Sequence, residues 1–209
     1  MPAEAAQAKP IPSWLRLAAV VWVAIWLPAY WRTWGGVNFL RLCDVTIILT
    51  CIGLWTSNSL LLSSQAVATI LVDLAWMLDV AWRVIFARHL VGGTEYMWDA
   101  RAPLWVRLLS LFHIVWPVLL LWAVARVGYD SRGWILQSGI AAVVIAASRW
   151  LGPELNYNYA FRDPFFHRTF GPAPVHVAVV AAFMAIVVYW PTHLVLARFF
   201  AQAALREKQ

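Results

Sequence analysis

Long apolar runs separated by short polar stretches make up almost the whole chain, and their lengths are those of bilayer-crossing helices. An apolar run of about 20 residues reads as a transmembrane helix. Six such runs occur, at roughly 14–31, 38–57, 60–86, 104–125, 134–151 and 173–199. The breaks between them carry turn-forming residues. Gly35-Gly36 opens the first turn, and Ser57-Asn58-Ser59 forms a very short link between the second and third spans. Residues 88–103 hold His89, Gly92, Gly93, Glu95, Asp99 and Arg101 and read as a polar loop. Gly128, Asp130 and Arg132 form a compact turn, and 153–174 is a second long loop. No strand-like alternation, internal repeat or low-complexity tract interrupts this pattern. It predicts an all-α fold: one domain over 1–209, a polytopic membrane helix bundle of about six transmembrane helices.

Composition agrees with that pattern. Apolar residues make up 63% of the chain and charged residues only 12%, about half the charged share of a soluble domain. The mean hydropathy is +0.69. Of 15 tryptophans, many fall near span ends (Trp14, Trp31, Trp34, Trp55, Trp105, Trp134, Trp150 and Trp190), where an amphipathic ring sits in the headgroup layer. The net charge of +6 comes from Lys and Arg scattered singly between apolar runs. That distribution fits lipid headgroups and excludes a nucleic-acid stripe. The one Lys before the first run is followed by no small-x-small cleavage site, so that run reads as a retained helix. Cys43 and Cys51 share one span, eight residues apart; at ~12 Å along a helix they are too distant for a disulfide.

Sidedness follows from the span order. Loops after the first, third and fifth spans share one face, here called B; the termini and the other loops share face A. Nine Lys and Arg lie near B and seven near A, so charge does not set the orientation, and termini inside is the default expectation. Asn38, Arg41, Cys43 and Asp44 open the second span at B, and Asp79 and Arg83 close the third there. His113 lies under B in the fourth. Arg149, Glu154, Asn156 and Asn158 close the fifth, and His176 opens the sixth. Ionisable groups cost several kcal/mol in lipid, so their shared side predicts a polar cavity in the B-side half of the bundle.

Several of these residues can carry chemistry. Asp79 and Arg83, four apart, are expected to pair on one helix face. Asp73 lies near mid-membrane and is expected to pair across helices, to be protonated or to touch water. Cys43 shares a small-residue stripe with Thr46 and Thr50, yet it also neighbours Arg41 and Asp44, with Arg83 and His113 at similar depth. Such surroundings can activate a thiol. Pro117 removes the donor for the His113 carbonyl and predicts a kink there. His193 reads as an interfacial side chain near face A. No Walker loop, dinucleotide fingerprint, HExxH or Cys/His metal spacing occurs. His113 and His176 share a depth, but nothing else suggests haem, so neither cofactor nor metal is expected.

Three pieces stand in order: Asn38-Phe39-Leu40-Arg41-Leu42-Cys43-Asp44, then Leu111-Phe112-His113 with Pro117, then Asn156-Tyr157-Asn158-Tyr159 with Arg162 and Pro164. In this the chain resembles the YwaF-type family of bacterial integral membrane proteins and similar bacterial membrane-associated proteins. More distantly it resembles the eukaryotic transmembrane acyltransferase acting on ether phospholipids and, more remotely, androgen-induced fatty-acid-ester hydrolases. The family commonly has a histidine one or two residues before the cysteine, where this chain has Arg41-Leu42. The resemblance implies a bacterial plasma-membrane setting and lipid acyl chemistry, with Cys43 and His113 as the catalytic pair.

The leading expectation is therefore a cavity that binds a lipid or acylated amphiphile. Cys43 would attack an acyl ester, His113 would act as base, and Asn156 or Asn158 would steady the oxyanion or headgroup. Asn38, Arg41, Asp44, Asp73, Asp79 and Arg83 would complete the cavity. One alternative is a non-catalytic accessory or assembly subunit with other membrane subunits as partners. Another is a small proton-coupled transporter using Asp73, although no inverted repeat is visible.

Overall fold

The computed structural model describes residues 9–206, and among them every regular element is helical. The helices are α1 (Ser13–Trp34), α2 (Leu42–Thr56), α3 (Ser59–Phe86), α4 (Leu104–Leu109), α5 (Phe112–Val127), α6 (Gly133–Ser148), α7 (Ala173–Phe183) and α8 (Trp190–Arg206). Five segments are long and apolar enough to cross a bilayer: α1, α3, α4 with α5, α6 with its 3-10 tail to Leu151, and α7 through α8 to Ala203. The apolar α2 is shorter. The protein is thus a multi-pass helical membrane bundle.

The second span begins later than residue 38. Gly36–Leu40 winds into a 3-10 helix, and α2 starts at Leu42. Local side-chain bonds explain the delay: Asn38 donates to Asp44 Oδ2 and accepts from Arg41 Nε, at 2.5 and 3.0 Å, which folds the chain tightly just before the helix. Asn58 then caps α3 by accepting from the Leu61 N–H.

Helix α3 is the centre of the bundle, packed against α2, α5 and α6. Its buried run Leu62–Thr69 is rich in small residues, which lets neighbouring backbones approach closely. The tightest approach is Gly133 at the start of α6, where a Cβ would lie 2.9 Å from Ser63 and Ser64 backbone atoms.

The fourth span breaks at Ser110-Leu111, almost two turns before Pro117 and ahead of His113, where the sequence predicts the kink. The N–H groups of Ser110, Leu111, His113 and Ile114 make i→i−3 bonds, and Ser110 Oγ is held 2.5 Å from the Tyr30 hydroxyl of α1. The tightened turn is pinned from the neighbouring helix, and α5 continues through Pro117. In the last span Met184–Tyr189 widens into a π-helix. Pro191 follows at once, and its missing N–H and ring clash with the preceding turn account for the disturbed ladder. His193 is buried rather than interfacial: Tyr129 bonds its Nδ1 at 2.9 Å, and Trp134 and Trp190 flank its ring.

Glycine contacts give a direct test of this packing. Gly133→Ala should lower the unfolding midpoint in detergent, by an overpacking cost of about 1–3 kcal/mol. Gly139→Ala, on the same helix with nothing within 4 Å of its added Cβ, should leave the midpoint unchanged or raise it. Equal midpoints for the two variants would show that α6 is not wedged on α3.

Candidate functional site

A cavity of about 780 Å³ occupies the B-side half of the bundle, beneath the loops that follow α3 and α6. Its wall is amphipathic. Asn38, Arg41, Cys43, Asp44, Asp73 and His113 line one part; Leu71, Val72 and Ala75 of α3 face Val179, Val180 and Phe183 of α7 in another. Helix α7 packs on α6, whereas α3 is met by the π segment and α8. Residues of α3 and of α7 thus line the same cavity.

Asp73 does pair across helices, and its partner is His113. The Nδ1 to Oδ1 distance is 2.6 Å, and the two residues are 4% and 2% exposed. The imidazole is fixed between Trp76, stacked at 4.7 Å, and Phe112. With Nδ1–H donated to the carboxylate, Nε2 presents its lone pair. That nitrogen has no hydrogen-bond partner among the described residues and is not sealed from the cavity. Asp73 Oδ2 is buried without a partner. A carboxylate-oriented imidazole with an open Nε2 is the arrangement of a general base.

Cys43 lines the same cavity as His113 without a hydrogen bond between them; its Sγ lies 3.9 Å from Asp44 Oδ1. Asp44 is buried and held by Asn38. Cys51 lies two turns deeper, away from the cavity lining.

Two expected members of the site lie elsewhere. Asp79 does not pair with Arg83, and neither lines the cavity. Asp79 Oδ1 accepts from the Leu90, Val91 and Gly92 N–H groups at 2.7, 2.7 and 3.0 Å, and Oδ2 meets His89 Nδ1 and the Thr94 hydroxyl. Gly92 and Gly93, with φ of 95° and 89°, give the turn that points these amides at one oxygen. Five short donors outcompete one long arginine, whose charge sits over Trp98, 5.7 Å from the ring centroid.

Asn156 and Asn158 line the cavity, but their amides are already engaged. Asn156 Oδ1 accepts from Phe161 and Arg162 N–H. Asn158 accepts from the Leu42 N–H and donates to Leu40 O and Ser148 Oγ, tying α2 to the end of α6. Asn158 thus has no N–H left for an oxyanion, so its part is to hold the wall. His176 is fully buried: Nδ1 accepts from Phe170 N–H and Nε2–H donates to Tyr159 O. Both its nitrogens serve the loop. Among the described residues no cluster of three or more His, Cys, Asp or Glu could hold a metal ion.

Other lining residues escaped the sequence reading. Gln65 and Gln137, from α3 and α6, meet at 3.5 Å, and Gln137 reaches the Tyr189 hydroxyl at 3.4 Å. Of these, Gln137 and Tyr189 line the cavity. A polar Gln inside an apolar span was the available signal for both glutamines. Tyr96 also lines it, accepting from Trp76 Nε1 at 3.0 Å. Burial pushes its hydroxyl well above the ordinary tyrosine range, so it stays protonated.

The Asp79 arrangement predicts a local effect. Asp79→Asn should speed amide hydrogen exchange at Leu90, Val91 and Gly92 by roughly tenfold or more, as expected when charge-assisted bonds weaken. Arg83→Ala should leave those three amides near wild-type rates; a matching acceleration there would mean that Arg83, not Asp79, fixes the loop. Comparison of the chain with protein families, with curated proteins and with solved structures finds no match.

Proposed function

We propose that this membrane protein binds a lipid or other acylated amphiphile in the B-side cavity and hydrolyses or transfers its acyl group. What carries this reading is the Asp73–His113 pair, a fixed imidazole with an unbonded Nε2 on an amphipathic cavity inside the bundle. The acyl chain lies between α3 and α7 and arrives sideways from the bilayer. Cys43 Sγ attacks the ester carbonyl carbon while His113 Nε2 takes the thiol proton. The ester C–O bond breaks, the departing alkoxide recovers that proton, and a thioester forms on Cys43. Water or a second hydroxyl, deprotonated by His113, then attacks the thioester and frees the thiol. Asp73 holds the ring and balances its charge while it is protonated. The distance between thiol and imidazole closes on substrate binding, as catalytic hydrogen bonds commonly do.

The resemblance to the YwaF type supports the same reading. Its three motif pieces, distant in sequence, all contribute to one cavity: Cys43 and Asp44, then Phe112 and His113, then residues 156–159. A bacterial plasma membrane is the setting we propose.

Alkylation of native membranes at pH 7 with a small iodoacetamide probe tests the proposal, with Cys43 and Cys51 read separately by mass spectrometry. Cys43 should react at least about tenfold faster than Cys51, and His113→Ala should remove that advantage, because the thiolate is the reactive form. Asp73→Asn should give an intermediate rate. If Cys43 reacts no faster than Cys51, or keeps its rate without His113, the catalytic assignment is wrong.

A further inference from the structure

We propose that the bound amphiphile is anionic and that Arg41 receives its headgroup oxyanion. This rests on the reading of the cavity as an amphiphile site and names the substrate class. Charged groups near the membrane interior carry a large desolvation cost and are normally paired. The carboxylates that line the cavity obey that rule. Asp44 is held by Asn38 and Asp73 by His113. Glu95 accepts from the Gly93 N–H, and Asp163 accepts from the amides of Phe165, Phe166 and Arg168.

Arg41 is the exception. It is the arginine in the cavity lining, it is half-buried, and it forms no ion pair among the described residues. Its hydrogen-bonded link to Asp44 runs through Asn38, which accepts from Arg41 Nε at 3.0 Å and donates to the carboxylate. Tyr157 fixes the other side, its ring centroid 4.2 Å from the guanidinium carbon. Nε is used and Tyr157 engages the guanidinium with its ring and its hydroxyl; among the described residues no carboxylate or carbonyl takes an Nη, the edge that grips a carboxylate or phosphate through two parallel bonds. The apolar α3–α7 wall begins in the same cavity, so one ligand can place its oxyanion on Arg41 and its chain among Leu71, Val179 and Phe183. An oxyanion headgroup is common to a phospholipid and to the fatty acid that hydrolysis of an acyl ester releases.

The test uses the full chain in detergent, titrated by native mass spectrometry with three single-chain amphiphiles: oleate, oleoyl lysophosphatidate and neutral monooleoylglycerol. Wild type should bind at least one anion about tenfold or more tighter than the neutral ligand, as a charge-assisted bidentate contact would give. Whether oleate or lysophosphatidate leads identifies carboxylate or phosphate as the natural headgroup. Arg41→Gln should lose that preference while still binding monooleoylglycerol, which also shows that it folds, and Arg41→Lys should keep part of it. Equal binding of all three by wild type, or a preference that survives Arg41→Gln, would overturn the anion assignment and leave the amphiphile cavity standing. If wild type binds none of the three, both readings fail together.

Discussion

Hydrocarbon offers no hydrogen bonds, so the polar groups inside this bundle depend on other parts of the chain for their partners. That constraint organises the fold around α3. Gln65, Thr69 and Asp73 are spaced four apart and fall on one stripe of the helix, directed at α5, α6 and the cavity. Asp79 comes six residues after Asp73, about 240° around the axis, and so faces away from that stripe. It is answered by the loop beyond the helix end instead. One helix thereby sets both the inner polar wall and the position of the loop over it.

How much of this was legible in the sequence depends on the range of the interaction. The spans were legible because each is a contiguous apolar run, and their ends fall within a few residues of the helices found. The gathering of polar residues under one face was legible from span parity alone. Partner choice was not. Helical spacing brings Asp79 and Arg83 to one face, yet it says nothing about a glycine turn that presents three amides, 11 to 13 residues on, to the carboxylate. Asn158 reads as a possible headgroup ligand until the closeness of Leu40 and Leu42 is known, more than a hundred residues away in sequence. Gln65 and Gln137 meet only because Gly133 lets α6 lie tightly on α3. Pro117 signalled a disturbance in the fourth span, but the Tyr30–Ser110 contact settled where the turn tightened.

The loop between α6 and α7 shows what it takes to cover such a cavity. Asn156, Asn158 and Tyr159 have φ of 41°, 52° and 58°, in the left-handed region. Asparagine tolerates this, but a tyrosine there carries strain. Two contacts hold it: the buried His176 ring donates to the Tyr159 carbonyl, and Asn158 is bound to the start of α2. Several backbone-directed bonds offset one unfavourable residue, and the result aligns the 156–159 segment along the cavity wall.

The Asp73–His113 pair differs from the saturated Asp79 site in what it leaves open. Polar glue in a membrane protein functions by saturation, as Asp79 shows with five donors on two oxygens. Asp73 has one donor, and its second oxygen is sealed without a partner. His113 spends one nitrogen and leaves the other on the cavity. A pair kept only to neutralise charge gains nothing from these vacancies and loses stability by them. The same cavity holds Arg41, which forms no ion pair among the described residues. Under the proposed reading Cys43 supplies the proton that His113 Nε2 accepts and the ligand supplies the oxyanion that meets Arg41, so the two groups act on one amphipathic space.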